Sequence, residues 1–527
     1  MRENREIPES PGADGAAGRI GKAAGRTPMM HGSGKSDRSV VPTKPSNNAE
    51  PSATERVEGR GLAKGNTDGQ NAPRTQRRAV GAPSALDRVR QKAKQDGNAK
   101  FTALLHHVTV ERLRGAFLQL QKKAAPGVDG VTWEQYATNL EDNLEGLHAR
   151  LHGGAYRAKP SRRVYIPKAD GRQRPLGIAS LEDKLVQRAV VEVMNAVYEE
   201  DFVGFSYGFR PGRGQHQALD ALAVGIVWKK VNWVLDADIR DFFNAIDHGW
   251  LMKFVEHRIA DKRVLRLIRK WLAAGVLEEG TWAESTQGTP QGATVSPLLA
   301  NIYLHYALDL WVQQWRKRHA RGDVIIVRWA DDFVVGFQDL MDAERFREEL
   351  RERLRRFSLE LHPEKTRLIA FGLLAAKRRK EQGLKGAPET FNFLGFTHIS
   401  GKTKAGKFLL ARHTMKSRMR ATLRALKAAL QKRRHQPLPE QGRWLGAVVR
   451  SYFAYHAVPT NIPTLDGFRT QIVRHWLRAL RRRGQRDRTT WERMNVIAQR
   501  WLPHPRVRHP WPNERFDART RGKSPVR

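Results

Sequence analysis

A chain of 527 residues that is 40% hydrophobic can bury a substantial core and form two or three domains. Its 94 Lys and Arg outnumber 54 Asp and Glu, and the formal net charge of +40 makes a polyanion the expected partner, because each neutralised phosphate releases counterions. The lack of cysteine excludes disulfides, Cys-based zinc sites and thiol nucleophiles, no apolar run approaches the ~18–20 residues of a membrane span, and the polar start has no signal-peptide core, so a cytoplasmic protein with no membrane partner is expected.

Residues 1–84 contain no aromatic residue and no periodic apolar pattern, so burial cannot offset the entropy of ordering them; they read as a disordered basic tail. Leu104, Val108, Leu113, Phe117 and Leu120 then fall at roughly helical spacing, and Pro126-Gly127 ends that pattern. In RRVYIPKADGRQRPLGI, residues 162–178, two apolar stretches flank Asp170-Gly171, the strongest short-range hairpin cue. The pattern is helical from Glu182 to Tyr198, strand-like from Val231 to Leu235, helical from Leu251 to Leu277, and that of one long helix from Ser296 to Trp315. Val324–Val327 and Phe333–Phe337 read as a hairpin, and the mixture predicts an α+β fold rather than a doubly wound βαβ series. Between Gly401 and Gln436 there is no acid, while Lys and Arg recur around Met415, Met419, Leu423, Leu426 and Leu430. With Trp444, Tyr452, Trp476 and Arg481–Arg483 further on, this predicts a helical, nucleic-acid-facing region from about residue 400, its rings mostly core and its cations outward.

Two acidic segments stand out in so cationic a chain. Asp331 and Asp332 lie at the bend between two β-branched runs, and Asp238 follows the strand-like Trp233-Val234-Leu235. A lone Asp pair between strands reads first as an Asx turn on a surface hairpin. A third acid on another strand end changes that reading, because three converging carboxylates can hold two divalent ions roughly 3.5–4 Å apart. Between the acidic segments, QGTPQGATVSPLLANIYLH carries Gly288 and Gly292, which permit close backbone approach to a bulky partner, and Ser296-Pro297, a good helix start. His106, His107 and the later histidines form no zinc-ligand spacing.

The ordered series APGVDGVTW (125–133), YIPKADGRQRPLGI (165–178), SYGFRPGRG (206–214), DADIRDFFNAIDH (236–248), TPQGATVSPLLANIYL (289–304), RWADDFVVGF (328–337), LELHPEKTRL (359–368) and FNFLGF (391–396) resembles the group II intron-encoded reverse transcriptase/maturase family. The resemblance implies a right-hand-like polymerase. It comprises the N-terminal extension and fingers (85–235), a palm with an antiparallel sheet and the catalytic centre (236–400), a thumb and maturase-specific helical domain (401–500) and a basic tail (501–527), with the reverse transcriptase domain at about 148–396. Catalytic roles fall on Asp238, Asp331 and Asp332. These acids, with the Ile239 carbonyl, would hold two Mg²⁺, for which Mn²⁺ could substitute. Lys168, Arg174, Phe243, Gln291, Gly292 and Lys365 would bind the nucleotide, Phe243 as a steric gate against a ribose 2′-OH. Trp329 would meet the primer, and Arg424, Lys427, Arg443, Arg450, Arg481, Arg482 and Arg483 the RNA. Implied partners are group II intron RNA, an RNA template, a DNA primer or target and dNTPs, with the protein nucleoid-associated when on DNA. Without cysteine and with little chain after Phe516, no HNH endonuclease is expected. Two positions depart from the family pattern: Trp329 replaces the usual Tyr, and Asp241 stands where a small residue, often Gly, precedes Phe242-Phe243. The implied function is RNA-directed DNA polymerase and splicing helper; a splicing-only maturase with lapsed polymerase and a host-adapted defence reverse transcriptase are the alternatives.

Overall fold

The computed structural model describes residues 85–167, 173–278, 281–283, 287–289, 292–484 and 488–515; the expected tail at 1–84 lies outside them. The chain opens with helices α1 (Ala85–Gln95), α2 (Val110–Leu118), α3 (Trp133–Thr138) and α4 (Leu140–His152). The helical pattern expected around Leu104 is broken into pieces. Leu104 and Leu105 donate their N–H groups to Asp261 Oδ2 at 2.7 and 2.9 Å, and Thr109 caps α2 afresh. The expected hairpin follows as β1 (Ser161–Pro167) and β2 (Gln173–Ile178), antiparallel with Ile166 opposite Arg174.

Next come α5 (Leu181–Asp201), α6 (Gln215–Trp228), β3 (Trp233–Asp238), the single turn α7 (Phe242–Ala245), α8 (His248–Glu256) and α9 (Lys262–Ala273). The helical stretch expected from Leu251 to Leu277 is two helices and a strand. Asp261 caps α9 through Arg263 N and Val264 N, and β4 (Val276–Glu278) then pairs with β1 and with β5 (Thr281–Ala283). The long helix expected from Ser296 is α10 (Ser296–Leu304), a π turn (His305–Asp309) and α11 (Leu310–Arg318) in continuous succession, with Pro297 in the first turn.

The central sheet adds β6 (Val324–Trp329), β7 (Asp332–Phe337), then α12 (Leu340–Arg355) and β8 (Arg367–Ala370); its order is β6-β7-β3-β8, antiparallel throughout. Side-chain alternation splits it between two cores. Leu235, Ala237, Phe333, Val335 and Phe337 pack into the larger one with α5, α8 and α10, while Val234, Val334, Ile325, Val327 and Ile369 enter a second core with α6. An α+β architecture with antiparallel sheets is thus present.

After α13 (Ala375–Glu381), the chain forms a three-stranded sheet of β9 (Phe391–Phe393), β10 (Phe396–Lys402) and β11 (Phe408–Thr414). The acid-free stretch from Gly401 therefore begins inside a hairpin, because alternating apolar positions on β10 and β11 cover the second core; helix starts only at α14 (Lys416–Lys432). Helices α14, α15 (Leu438–His456), α16 (Ile462–Arg481) and α17 (Trp491–Trp501) enclose a third core around Trp476, whose indole N–H donates to Gln441 Oε1 at 2.7 Å. Gly442 and Gly446 let α15 approach the Trp501 end of α17 closely. Residues 502–515 are no free tail. Arg508 and His509 donate to Ala457 O, His509 stacks on His216 of α6 with centroids 3.6 Å apart, and Arg515 pairs with Asp220 at 2.5 Å.

Burial lowers the pKa of His305, His398 and His456 from 6.5 to about 3, assisted by nearby Arg328, Arg412 and Arg418 respectively. Folded-state values below the ordinary one mean that the unfolded chain binds more protons, so their contribution is intact above pH 6.5 and is lost as pH falls toward 3. Each costs about 1.4 kcal/mol per pH unit within that window. Thermal unfolding should accordingly show the melting temperature steady above pH 7 and falling below pH 6.5, with His398→Gln flattening the slope.

Candidate active site

The carboxylates meet at one end of the central sheet. Asp238, last residue of β3, lies directly opposite Asp332, first residue of β7, which places their Cβ atoms about 5 Å apart. Asp332 is also opposite Trp329, so Ala330-Asp331 is a two-residue hairpin turn, with Ala330 in the left-handed region at φ 57°. Since Val234 and Val334 face the second core, Asp236, Asp238 and Asp332 share that face by the two-residue period. Sequence reading did not single out Asp236, two residues upstream and paired with Arg367 at 3.5 Å.

Crowded acids resist ionisation. Burial, then the charges of Asp236, Asp331 and Asp238, push the Asp332 carboxyl well above its usual range, with Arg418 acting in the opposite sense. Asp236 is pushed up to about 6, first by burial, with Arg367 opposing. Lys365 answers part of this charge, its Nζ 2.5 Å from Asp238 Oδ2. Arg240 N donates to Glu360 O and His362 N to Asp238 O, both at 2.8 Å, around the bridge of Ile239 with Leu361. Ile239 is therefore a pair whose own C=O points to the other edge, the side of β7 and the acidic tip. Among the described residues no three acids or histidines already close on one point, though carboxylate and carbonyl oxygens are the donor types that hard cations take.

The hairpin is held from behind by residues that carried no assigned role. Arg328, on β6 just before the turn, is fully buried with Asp309 of the π turn; Nε meets Oδ1 at 2.8 Å and Nη2 meets Oδ2 at 2.6 Å. The same guanidinium donates to Ser206 Oγ, to Asn301 Oδ1 and to Ala330 O, a carbonyl of the hairpin turn that carries Asp331. Asn301 Nδ2 in turn donates to Gly208 O at 2.8 Å, and a Cβ added at Gly208 would overlap the backbone nitrogen of Ala330. The SYGFRPGRG motif is thus a buttress: Arg210 grips Glu199 and the carbonyls of Val203 and Ser206, and Arg213 donates to Gly204 O. The signal available in sequence was an Arg inside an otherwise apolar strand.

The remaining expected residues are placed unevenly. Phe243 is half-buried on α7 beside the fully buried Phe242. Asp241 is exposed at φ 41°, a conformation glycine adopts without strain, which accounts for a small residue at this position. Gly288 (φ 82°) packs against Phe243 O and Asn244, and Gly292 (φ 110°) against Gly177 O of β2; the close approach these glycines allow is to the protein's own backbone. Lys168 and Gln291 lie outside the described residues, and Arg174 is placed on β2. Trp329 is half-buried against the second core. Arg424, Lys427, Arg443, Arg450, Arg481 and Arg482 are exposed on the helical region, although Arg481 donates to Thr489 O and the half-buried Arg483 to Gln436 O.

The antiparallel sheet with its acidic tip falls within residues 166–398, which match the family described as Reverse transcriptase (RNA-dependent DNA polymerase). The chain is 34% identical to Protein YkfC of Escherichia coli (strain K12) over 310 residues, 52% of this chain and 81% of that protein. It is 33% identical to Group II intron-encoded protein LtrA of Lactococcus lactis subsp. cremoris over 238 residues, 45% of this chain but 39% of that protein. Nuclear intron maturase 3, mitochondrial, of Arabidopsis thaliana is 30% identical over 148 residues, 27% of this chain and 20% of that protein. The chain belongs to the group II intron-encoded reverse transcriptase/maturase family.

Removing one partner of a buried ion pair leaves an uncompensated charge, so Arg328→Met should destabilise the protein by about 3–5 kcal/mol in denaturant unfolding. Asp241→Gly should stabilise it by about 0.5–1 kcal/mol by relieving the left-handed backbone.

Proposed function

We propose that the chain is an RNA-directed DNA polymerase that copies intron RNA into DNA and binds its group II intron RNA to assist splicing and mobility. The observation that carries this is the register placing Asp238 opposite Asp332 at the tip of the sheet, with Asp331 in the adjoining turn. The chemistry supplied there by two bound Mg²⁺, or Mn²⁺ in their place, is activation of a primer 3′-hydroxyl and neutralisation of charge on the departing pyrophosphate.

The protein's own groups do the positioning. Asp238, Asp331, Asp332 and the Ile239 carbonyl supply the oxygen ligands, while Lys365 sits against Asp238 and can turn to the leaving phosphates. The β1–β2 hairpin, bearing Lys168 and Arg174, grips the triphosphate as part of the fingers, and the half-buried Phe243 ring closes the pocket against a 2′-OH. Gln291 and Gly292 support the nascent base pair, and Trp329 offers its ring to the primer. The central sheet is the palm in this reading, and α14 to α17 are the thumb and maturase domain, whose exposed Arg424, Lys427, Arg443, Arg450 and Arg482 reach RNA phosphates. The similarity to a protein named group II intron-encoded and to one named an intron maturase supports intron RNA as partner.

Asp331→Asn should keep intron RNA affinity within about twofold while lowering primer extension on an RNA template by on the order of 10³-fold. Full extension by that variant would overturn the assignment. Charge removal at Arg424 and Lys427 together should reduce the slope of log affinity against log salt by about 2.

A further inference from the structure

Phe209 is a large ring that is 47% exposed on backbone in the left-handed region, φ 58°. Phe205 and Tyr207, at the preceding alternate positions, are fully buried; the left-handed turn sends the third ring outward. Both features cost stability, since a bulky side chain is strained at positive φ and an exposed ring forfeits its burial. The chain cannot relax, because both neighbours are pinned. Gly208 lies against the Ala330 nitrogen with its carbonyl held by Asn301, and Arg210 is buried in its bidentate grip on Glu199. Strain that surrounding contacts over-determine concentrates at functional positions.

We propose that the Phe209 ring is a substrate contact for the growing end of the primer strand, meeting the apolar sugar edge of its terminal nucleotides. This rests on the polymerase reading above. The occupant follows from place and charge. Phe209 is one residue from the glycine that touches the turn carrying Asp331, and the strand that must end at that turn is the primer. Base faces at the strand end are covered by their own stacking, which leaves the C–H-rich edge of deoxyribose as the apolar surface a ring can cover; a 2′-OH there would be set against the ring. Because Gly208 and Arg328 both bind the Ala330 turn, ring and acids are fixed to one another, so the contact would add affinity for a primer end held beside the carboxylates without changing the chemical step.

Phe209→Gly separates ring from backbone, since glycine accepts the positive φ. A DNA primer labelled at its 5′ end and annealed to an RNA template is titrated by fluorescence anisotropy without dNTPs, alongside thermal melting and steady-state extension. The expected result is a higher melting temperature in Phe209→Gly with about tenfold weaker duplex binding, a matching rise in KM for primer–template and kcat within about twofold, and Phe209→Tyr close to the parent. A higher melting temperature with unchanged affinity and KM would overturn the proposal, as would a lower one, which would make the ring a structural support. If the parent binds duplex but extends nothing, the polymerase reading fails, and the anisotropy comparison still decides the ring contact.

Discussion

Everything at the acidic tip hangs on one buried ion pair. Arg328 and Asp309 are both fully buried, and each would be prohibitive to bury alone. Together they form a two-pronged clamp whose leftover donors are used on Ser206, Asn301 and the Ala330 carbonyl, so that strand β6, the π turn and the 203–208 loop converge on the hairpin turn. A hydrophobic replacement could hold as well, but it could not read direction. The guanidinium fork fixes the angle at which the turn leaves the sheet, and a carboxylate site tolerates errors of only about half an ångström. The π turn belongs to the same device, since the Asp309 that closes it is the clamp's acceptor.

That clamp carries a tip that repels itself. Asp236, Asp238 and Asp332 share one face of the sheet, and Asp331 adjoins them. The protein moderates the repulsion with two half-exposed cations: Lys365 on Asp238 and Arg367 on Asp236. Lys365 is 55% exposed, so its pairing is held by charge rather than by packing. The contrast with Arg328 is physical: that cation is buried and multiply bonded, and the cation beside the acidic tip is exposed and singly bonded.

Period and turn chemistry made much of this legible. The alternating runs around Asp331-Asp332 and the Asp-Gly of the upstream hairpin sufficed for their strands, and motif order brought Asp238 to the same place. Helix boundaries failed where a distant side chain intervened. Asp261 takes the N–H groups of Leu104 and Leu105 across 157 and 156 positions, which no local window contains. The strands β10 and β11 were missed because their cationic residues masked a short alternating pattern that only the second core explains. Arg328 was overlooked for the same reason: a charge within an apolar strand reads as an edge residue until Asp309, 19 positions away, is seen beside it.

Strain around the tip is distributed rather than concentrated. Ala330, Asp241, Phe209 and Leu394 are all non-glycine residues at positive φ, and all lie within segments that carry the polymerase motifs. Each costs on the order of 1 kcal/mol where glycine would be free of strain. Each is also pinned nearby: Ala330 by Arg328, Phe209 through Gly208 and Arg210, Leu394 by the Tyr455 hydroxyl on its carbonyl at 2.7 Å, and Asp241 by the N–H groups of Asn244 and Ala245 on its own carbonyl. A glycine in these places would relax the turn and also widen its range of conformations, so a side chain held against its preference trades stability for a narrower one. Three cores carry the fold, and of these four residues only Leu394 belongs to one of them, so strain at the other three leaves the cores intact.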